Sequence, residues 1–74
     1  MRRYRVLDLR AGRTEAQREV EAGTPNAAAH QALGEKVVRG GRKSATPVCR
    51  VYWEDGLGQT NMVRLYRPVD LTGG

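Results

Sequence analysis

The fold is decided by residues 47–68, which read PVCRVYWEDGLGQTNMVRLYRP. Two runs rich in β-branched and aromatic residues flank the short glycine-containing segment DGLGQ at residues 55–59. Such runs on either side of a loop of this length are typical of a β-hairpin. The sequence therefore predicts an antiparallel hairpin as the best-defined element of the chain.

The register of this hairpin follows from pairing Glu54 with Thr60 across the loop. Because side chains alternate between the two faces of a strand, this pairing gives each face its own composition. The apolar face, which we expect to belong to the core, carries Cys49, Val51, Trp53, Val63 and Leu65. The other face mixes arginine with tyrosine and carries Val48, Arg50, Tyr52, Met62, Arg64 and Tyr66.

The predicted register places Arg50 directly opposite Arg64. Like charges in direct opposition on a sheet are unfavourable by roughly 0.2–1 kcal/mol. The pair therefore predicts an anion nearby. That anion is either an internal carboxylate, such as Asp8 or a neighbouring glutamate, or a phosphate on a partner.

The composition describes a short, basic chain, with 13 lysine and arginine residues against 8 aspartate and glutamate residues and a net charge of +5. A length of 74 residues predicts a single domain spanning residues 1–74. Arginine supplies 11 of the 13 basic residues, and its planar guanidinium suits phosphate and carboxylate recognition. We therefore expect an anionic partner, either nucleic acid or an acidic protein surface.

The sequence offers no signal for a membrane or for export. No apolar run approaches the roughly 18–20 residues of a membrane span, and no signal peptide follows the basic start of the chain. We therefore expect a cytoplasmic protein that does not contact a membrane.

The chain has one cysteine, Cys49, and one histidine, His30, so neither an intramolecular disulfide nor a Cys/His zinc cluster can form. A chain this short buries only about 60% of its unfolded surface, which predicts marginal stability. A homodimer would add stability, either through a sheet edge or through the sheet face without the helix. No nucleotide-binding motif and no nucleophile with an orienting base is present, so we expect no enzyme, metal or cofactor.

The first element is a predicted strand at residues 4–10. Tyr4 and Val6 project to one face of this strand, and Leu7 and Leu9 project to the other. Apolar residues on both faces favour a position in the centre of the sheet.

Residues 15–22 fit two different structures. Val20 and Ala22 alternate with polar residues as a strand would, and we favour a strand at residues 18–22. Thr14 and Gln17 could instead form the capping box of a helix.

A helix is predicted for residues 25–38, with Thr24 as its N-cap and Pro25 at its first position. Its buried stripe would be Ala29, Leu33 and Val37, with Ala32 beside them. Gly34 leaves an earlier end open, and residues 40–41 end the helix in any case. The chain is therefore predicted to be α+β, a four-stranded antiparallel sheet in ββαββ order with one main helix on one face. The alternative is βααββ with a three-stranded sheet.

Two segments are predicted to lie outside these elements. Residues 40–46 form a flexible basic loop, in which Arg42 and Lys43, with Arg39 beside them, could contact phosphates. Residues 69–74 form a frayed tail. Because that tail ends in Gly73 and Gly74, the ββαββ order with a terminal diglycine resembles ubiquitin-like β-grasp modifiers and sulfur carriers. The resemblance implies a carrier that is activated at its terminal carboxylate.

The open face of the predicted sheet is the candidate site. It would carry Arg50, Tyr52, Arg64 and Tyr66, with Tyr4 from the first strand. Tyrosines can stack unpaired bases while the guanidinium groups hold phosphates. We therefore expect a small binding protein that engages nucleic acid or a nucleoprotein complex. The alternative is an inhibitor or adaptor of the phage or mobile-element type that binds a host protein complex, such as an anti-CRISPR-like blocker.

Overall fold

The computed structural model describes residues 1–10, 16–40 and 46–68. These residues form one helix and five strands, which are β1 (Arg2–Asp8), β2 (Ala16–Ala22), α1 (Pro25–Leu33), β3 (Val38–Arg39), β4 (Cys49–Glu54) and β5 (Thr60–Tyr66). The strands form a single antiparallel sheet in the order β2-β1-β4-β5-β3. The predicted α+β class, with one helix on an antiparallel sheet, is confirmed. The predicted number of four strands is wrong, because the short β3 adds a fifth.

The hairpin of β4 and β5 has the predicted register, from Cys49 opposite Leu65 to Glu54 opposite Thr60. Its loop is held by the Asp55 carboxylate, whose Oδ1 accepts hydrogen bonds from the backbone N–H groups of Leu57 at 2.8 Å and Gln59 at 3.0 Å. These two bonds hold the pKa of Asp55 below its usual value, the bond from Gln59 having the larger effect. The loop also needs a left-handed residue, which Gly58 supplies with φ of 80°.

The first two strands settle the ambiguity of residues 15–22. β1 lies between β2 and β4, so the predicted central position of the first strand is confirmed. Ala16–Ala22 is a strand, paired with β1 from Arg2 opposite Ala22 to Asp8 opposite Ala16. The helical alternative for this segment, and with it the βααββ fold, is wrong.

The helix begins as predicted but ends earlier than the predicted residue 38. Thr24 Oγ1 accepts a hydrogen bond from Ala27 N at 3.1 Å, and Pro25 occupies the first turn. The helix ends at Leu33, because Gly34 adopts φ of 74° and donates its N–H to His30 O at 2.9 Å. This left-handed glycine closes the last turn and frees the following residues to form β3.

The core lies between α1 and one face of the sheet, which we call the covered face. Its members are Tyr4, Val6, Ala22, Ala28, Ala29, Leu33, Val37, Val48, Cys49, Val51 and Leu65, with Trp53 and Val63 packed against them. The hairpin residues predicted for the core are therefore all found there. Val37 is buried as predicted, although it lies after the helix.

Val48 is in this core, and its predicted place on the Arg/Tyr face is wrong. Val48 N donates to Leu65 O at 2.9 Å, although the ladder pairs Leu65 with Cys49. Two residues of one strand therefore oppose a single residue of the other, which is a β-bulge. The bulge interrupts the alternation and lets neighbouring Val48 and Cys49 both be buried.

A cluster of charged side chains ties the loop after α1 to the ends of two strands. Arg10 binds Asp8 at 3.0 Å and Glu35 at 2.7 Å, and Glu35 also binds Arg67 at 2.9 Å. Hydrogen bonds to Asp8 and Glu35 raise the pKa of Arg10 above its ordinary value. Hydrogen bonds from Arg67, which has the larger effect, and from Arg10 lower the pKa of Glu35.

Among the described residues, no helix is both long enough and apolar enough to cross a membrane.

Candidate functional site

The face of the sheet opposite α1, which we call the open face, carries the candidate site. β1 pairs with β2 and β4, and β4 pairs with β5, so the registers of these pairs show which alternate residues of each strand lie on this face. Its basic, aromatic and larger apolar members on β1, β4 and β5 are Arg3, Arg5, Leu7, Arg50, Tyr52, Met62, Arg64 and Tyr66. Four of the site residues predicted from sequence are thus on one surface, namely Arg50, Tyr52, Arg64 and Tyr66.

The centre of the open face is the opposed pair Arg50 and Arg64. Asp55 N donates to Gln59 O at 2.9 Å, so Asp55 and Gln59 form a hydrogen-bonded pair. Along an antiparallel hairpin, hydrogen-bonded pairs alternate with non-hydrogen-bonded pairs. The two arginines therefore form a non-hydrogen-bonded pair, in which the Cα atoms are only about 4.5 Å apart and the side chains are closest. Two like charges are thus held side by side.

No described carboxylate neutralises this pair. Among the described residues, neither Arg50 nor Arg64 takes part in an ion pair. Arg50 Nε is buried and has no hydrogen-bond partner within the described part of the chain. A buried donor without a partner costs about 1–3 kcal/mol. The arrangement therefore leaves both a repulsion and an unsatisfied donor at the same place.

Asp8, one of the internal carboxylates considered as a counter-ion, is on the other side of the sheet. It lies opposite Cys49, on the covered face, whereas its neighbour Leu7 lies opposite Arg50 on the open face. Its carboxylate accepts hydrogen bonds from Arg10 Nε and Nη2, both at 3.0 Å. Asp8 therefore does not balance the charge of Arg50.

Elsewhere on the open face the two arginines of β1 face carboxylates across the strands, and Glu54 lies opposite the uncharged Thr60. Arg3 lies opposite Glu21, and Arg5 lies opposite Glu19. Opposite charges in direct opposition stabilise a sheet. Arg50 and Arg64 are therefore the open-face arginines that face no carboxylate across the strands.

Arg5 is a site residue that sequence reasoning missed. Its guanidinium carbon lies 5.8 Å from the ring centroid of Tyr52, the residue opposite it on β4, in a cation–π arrangement. A shallow depression opens beside them, lined also by Leu7 and Thr60. The missed signal is the alternation of Arg3 and Arg5 with Tyr4 and Val6, which places the arginines on the face away from the core.

Tyr4 was predicted for the open face, and that placement is wrong. Its side chain is only 4% exposed and belongs to the core. The ring packs edge-on against Trp53, with 5.6 Å between centroids and an interplanar angle of 68°. This edge-to-face contact stabilises the core, and Tyr4 cannot meet a partner while the protein is folded.

The predicted basic loop is described only in part. Arg39 is exposed on β3, at the edge of the sheet next to β5. The other two predicted phosphate contacts, Arg42 and Lys43, lie outside the described residues. So do Gly73 and Gly74, so the carrier function implied by the terminal diglycine stays a prediction.

The described residues show no constellation for covalent or metal chemistry. They contain no group of three or more His, Cys, Asp or Glu side chains placed to hold a metal ion. His30 is exposed on α1. Burial raises the pKa of the Cys49 thiol to about 11, so the thiol is kept protonated and unreactive at neutral pH.

Comparisons with protein-family models, with curated proteins and with solved structures found no match for this chain. A function has to be inferred from the geometry of the open face itself.

Proposed function

We propose that this chain is a small non-enzymatic protein that binds single-stranded nucleic acid on the open face of its sheet. Arg50 and Arg64 hold backbone phosphates, and Tyr52 and Tyr66 stack unpaired bases. The observation that carries the proposal is the opposed Arg50–Arg64 pair with no described counter-ion.

A phosphate supplies what this pair lacks. A bound oxyanion between the two guanidinium groups replaces their repulsion with two charge-assisted contacts. A small rotation of the Arg50 side chain toward that anion would also give its buried Nε an acceptor. An anionic ligand is therefore stabilised by the site and stabilises the site in turn.

The tyrosines favour unpaired bases over a duplex. Tyr52 and Tyr66 are half-buried on the open face and flank the arginine pair on neighbouring rows of β4 and β5. A base stacked on such a ring contributes about 1–3 kcal/mol, and stacking requires a base that is not enclosed in a duplex. Arg5 covers part of the Tyr52 ring and would either move aside or contact the same strand.

The test is fluorescence anisotropy with labelled single-stranded RNA and DNA, with duplexes of the same sequence for comparison. We expect the wild-type protein to bind the single strands more tightly, with an affinity that falls as salt rises. Each phosphate contact contributes about 0.7 to the slope of log affinity against log salt. The double variant Arg50→Ala with Arg64→Ala should therefore bind weakly and flatten the slope by about 1.4.

A matched control removes a basic residue elsewhere. Arg18 is exposed on β2 and projects to the covered-face side of the sheet. Its guanidinium donates a long hydrogen bond of 3.4 Å to Ala32 O. Arg18→Ala should leave the affinity almost unchanged. Equal losses in Arg18→Ala and Arg64→Ala would mean that net charge, and not the open face, governs binding.

No binding of RNA or DNA at low salt would refute the proposed function. A pull-down from nuclease-treated lysate would then show whether an acidic protein surface occupies the same face. A protein captured through Arg50 and Tyr52 in that experiment would favour the inhibitor or adaptor class instead.

A further inference from the structure

The sheet opens at one end between two neighbouring strands, β1 and β4. Their ladder ends at the pair of Arg5 with Tyr52. Both strands continue beyond this pair, β1 to Arg2 and β4 to Glu54. In the described chain, Arg3 and Glu54, which the same register would place opposite each other, do not form a ladder pair. The two strands therefore leave a gap at this end of the sheet.

This gap, which we call the notch, has a volume of about 450 Å³. Its lining combines three basic, two acidic and two aromatic side chains, which are Arg2, Arg3, Arg5, Glu19, Glu54, Tyr52 and Trp53. Arg3, Arg5, Tyr52 and Glu54 among them belong to the open face. The notch is therefore continuous with the surface to which we assign nucleic-acid binding.

Glu54 is the carboxylate of the notch that faces no cation across a strand pair. Glu19 lies opposite Arg5, whereas Glu54 lies opposite the uncharged Thr60. Among the described residues, Glu54 takes part in no ion pair, and its side chain is exposed at the end of β4. A longer ladder between β1 and β4 would have placed Arg3 opposite it. The Glu54 carboxylate can therefore accept hydrogen bonds from a ligand.

Three open-face side chains follow one another at every second residue of β4, namely Arg50, Tyr52 and Glu54. The first and the last are about 13 Å apart along the strand. With the reach of these two side chains, one nucleotide covers that span. Its phosphate lies at Arg50, its base stacks on Tyr52, and the Watson–Crick edge of the base meets Glu54.

We propose that the notch selects guanine in the bound single strand, with the Glu54 carboxylate accepting hydrogen bonds from the N1–H and the N2 amino group of the base. This inference rests on the proposed function, because it names the base that the strand presents beside the arginine pair. Arg3 and Arg5 line the other side of the notch. Their guanidinium groups suit O6 and N7 of guanine, the acceptors that arginine contacts most often in base recognition.

The other bases match this carboxylate less well. An ionised carboxylate only accepts hydrogen bonds, and guanine is the base whose Watson–Crick edge presents two adjacent donors. Adenine and cytosine place a ring-nitrogen acceptor beside their amino group, so one carboxylate oxygen would meet a lone pair. Uracil and thymine present a single donor between two carbonyl oxygens. Glu54 therefore discriminates by repelling the wrong bases as well as by binding the right one.

Fluorescence anisotropy with labelled single strands of one length tests the base preference. Each strand is an oligouridylate whose central base is guanine, hypoxanthine, adenine or uracil. We expect wild-type protein to bind the guanine strand about tenfold more tightly than the adenine or uracil strand. Hypoxanthine keeps the N1–H and O6 of guanine but lacks the N2 amino group, so its strand should have an intermediate affinity.

Two matched variants separate the carboxylate of Glu54 from the charge of the notch. Glu54→Gln and Glu19→Gln each remove one negative charge at an exposed residue of the notch, so both should bind every strand somewhat more tightly. Glu54→Gln should lose most of the preference for guanine over hypoxanthine and adenine, because an amide no longer offers two acceptor oxygens. Glu19→Gln should keep that preference. Thermal unfolding checks that both variants remain folded.

The outcomes distinguish this inference from the proposed function. Equal affinities of wild-type protein for all strands, with binding still weakened by Arg50→Ala and Arg64→Ala, would overturn the guanine site and leave the proposed function standing. A guanine preference that survives in Glu54→Gln would overturn the assignment to Glu54. No binding of any strand at low salt would overturn both.

Discussion

Reversing one charge of the opposed arginine pair should stabilise the fold and abolish the proposed function together. Arg64→Glu replaces a like-charge pair with an opposite-charge pair on neighbouring strands. The lost repulsion and the gained attraction are each worth roughly 0.2–1 kcal/mol, so we expect the free energy of unfolding to rise by about 1 kcal/mol. For a domain of this size that gain raises Tm by about 4–8 °C.

The assay combines thermal unfolding followed by circular dichroism with anisotropy on a labelled single strand. Arg64→Glu should raise Tm at low salt, by less at high salt because the charges are screened, and should weaken binding tenfold or more. The matched control is Arg3→Glu, which makes the same change in net charge but opposes Glu21. It should lower Tm. A lower Tm in Arg64→Glu, or unchanged binding, would refute the view that Arg50 and Arg64 form an unsatisfied anion site.

Three further predictions concern the core and the charged cluster. Tyr4→Ala should lower the free energy of unfolding by roughly 3–5 kcal/mol, measured by urea unfolding followed by Trp53 fluorescence. Tyr4→Phe should leave nucleic-acid binding unchanged, and a binding defect in this variant would mean that Tyr4 contacts the ligand. The buried Cys49 thiol, with its pKa raised to about 11, should react with a thiol reagent at pH 8 only as fast as the protein unfolds, and rapid labelling of native protein would contradict its burial. Arg67 and Arg10 lower the pKa of Glu35 in the folded protein. The ionised Glu35 carboxylate therefore contributes its full stabilisation of the fold above its ordinary pKa of 4.5, and this contribution is lost as the pH falls through the lowered pKa. Glu35→Gln should therefore lower Tm at pH 7 more than at pH 3, and equal losses at both pH values would contradict this linkage.

The hairpin could be predicted in detail because its information is local. The loop chemistry around Asp55 and Gly58 and the alternation along both strands specify the same register, so each supports the other. The opposition of Arg50 and Arg64, which is the basis of the candidate site, follows directly from that register. The central part of the site was therefore accessible from the sequence.

The features that sequence reasoning missed depend on contacts between distant segments. β3 exists because Val38 meets Tyr66, far along the chain, and two residues give no periodic signal of their own. The bulge that buries Val48 breaks the alternation from which its face was predicted. Apolar residues on both faces of β1 left open which face meets the helix, and the packing of Tyr4 on Trp53 decides it.

An NMR titration of isotope-labelled protein with a short single-stranded oligonucleotide tests most directly whether the open face binds nucleic acid. We expect the largest shifts at Arg5, Arg50, Tyr52 and Arg64. These include the side-chain Nε–H of Arg50, which has no acceptor among the residues that the structure describes. The indole N–H of Trp53, on the covered face, should shift little. Shifts confined to α1 and the covered face, or no shifts at low salt with excess oligonucleotide, would contradict the proposed site.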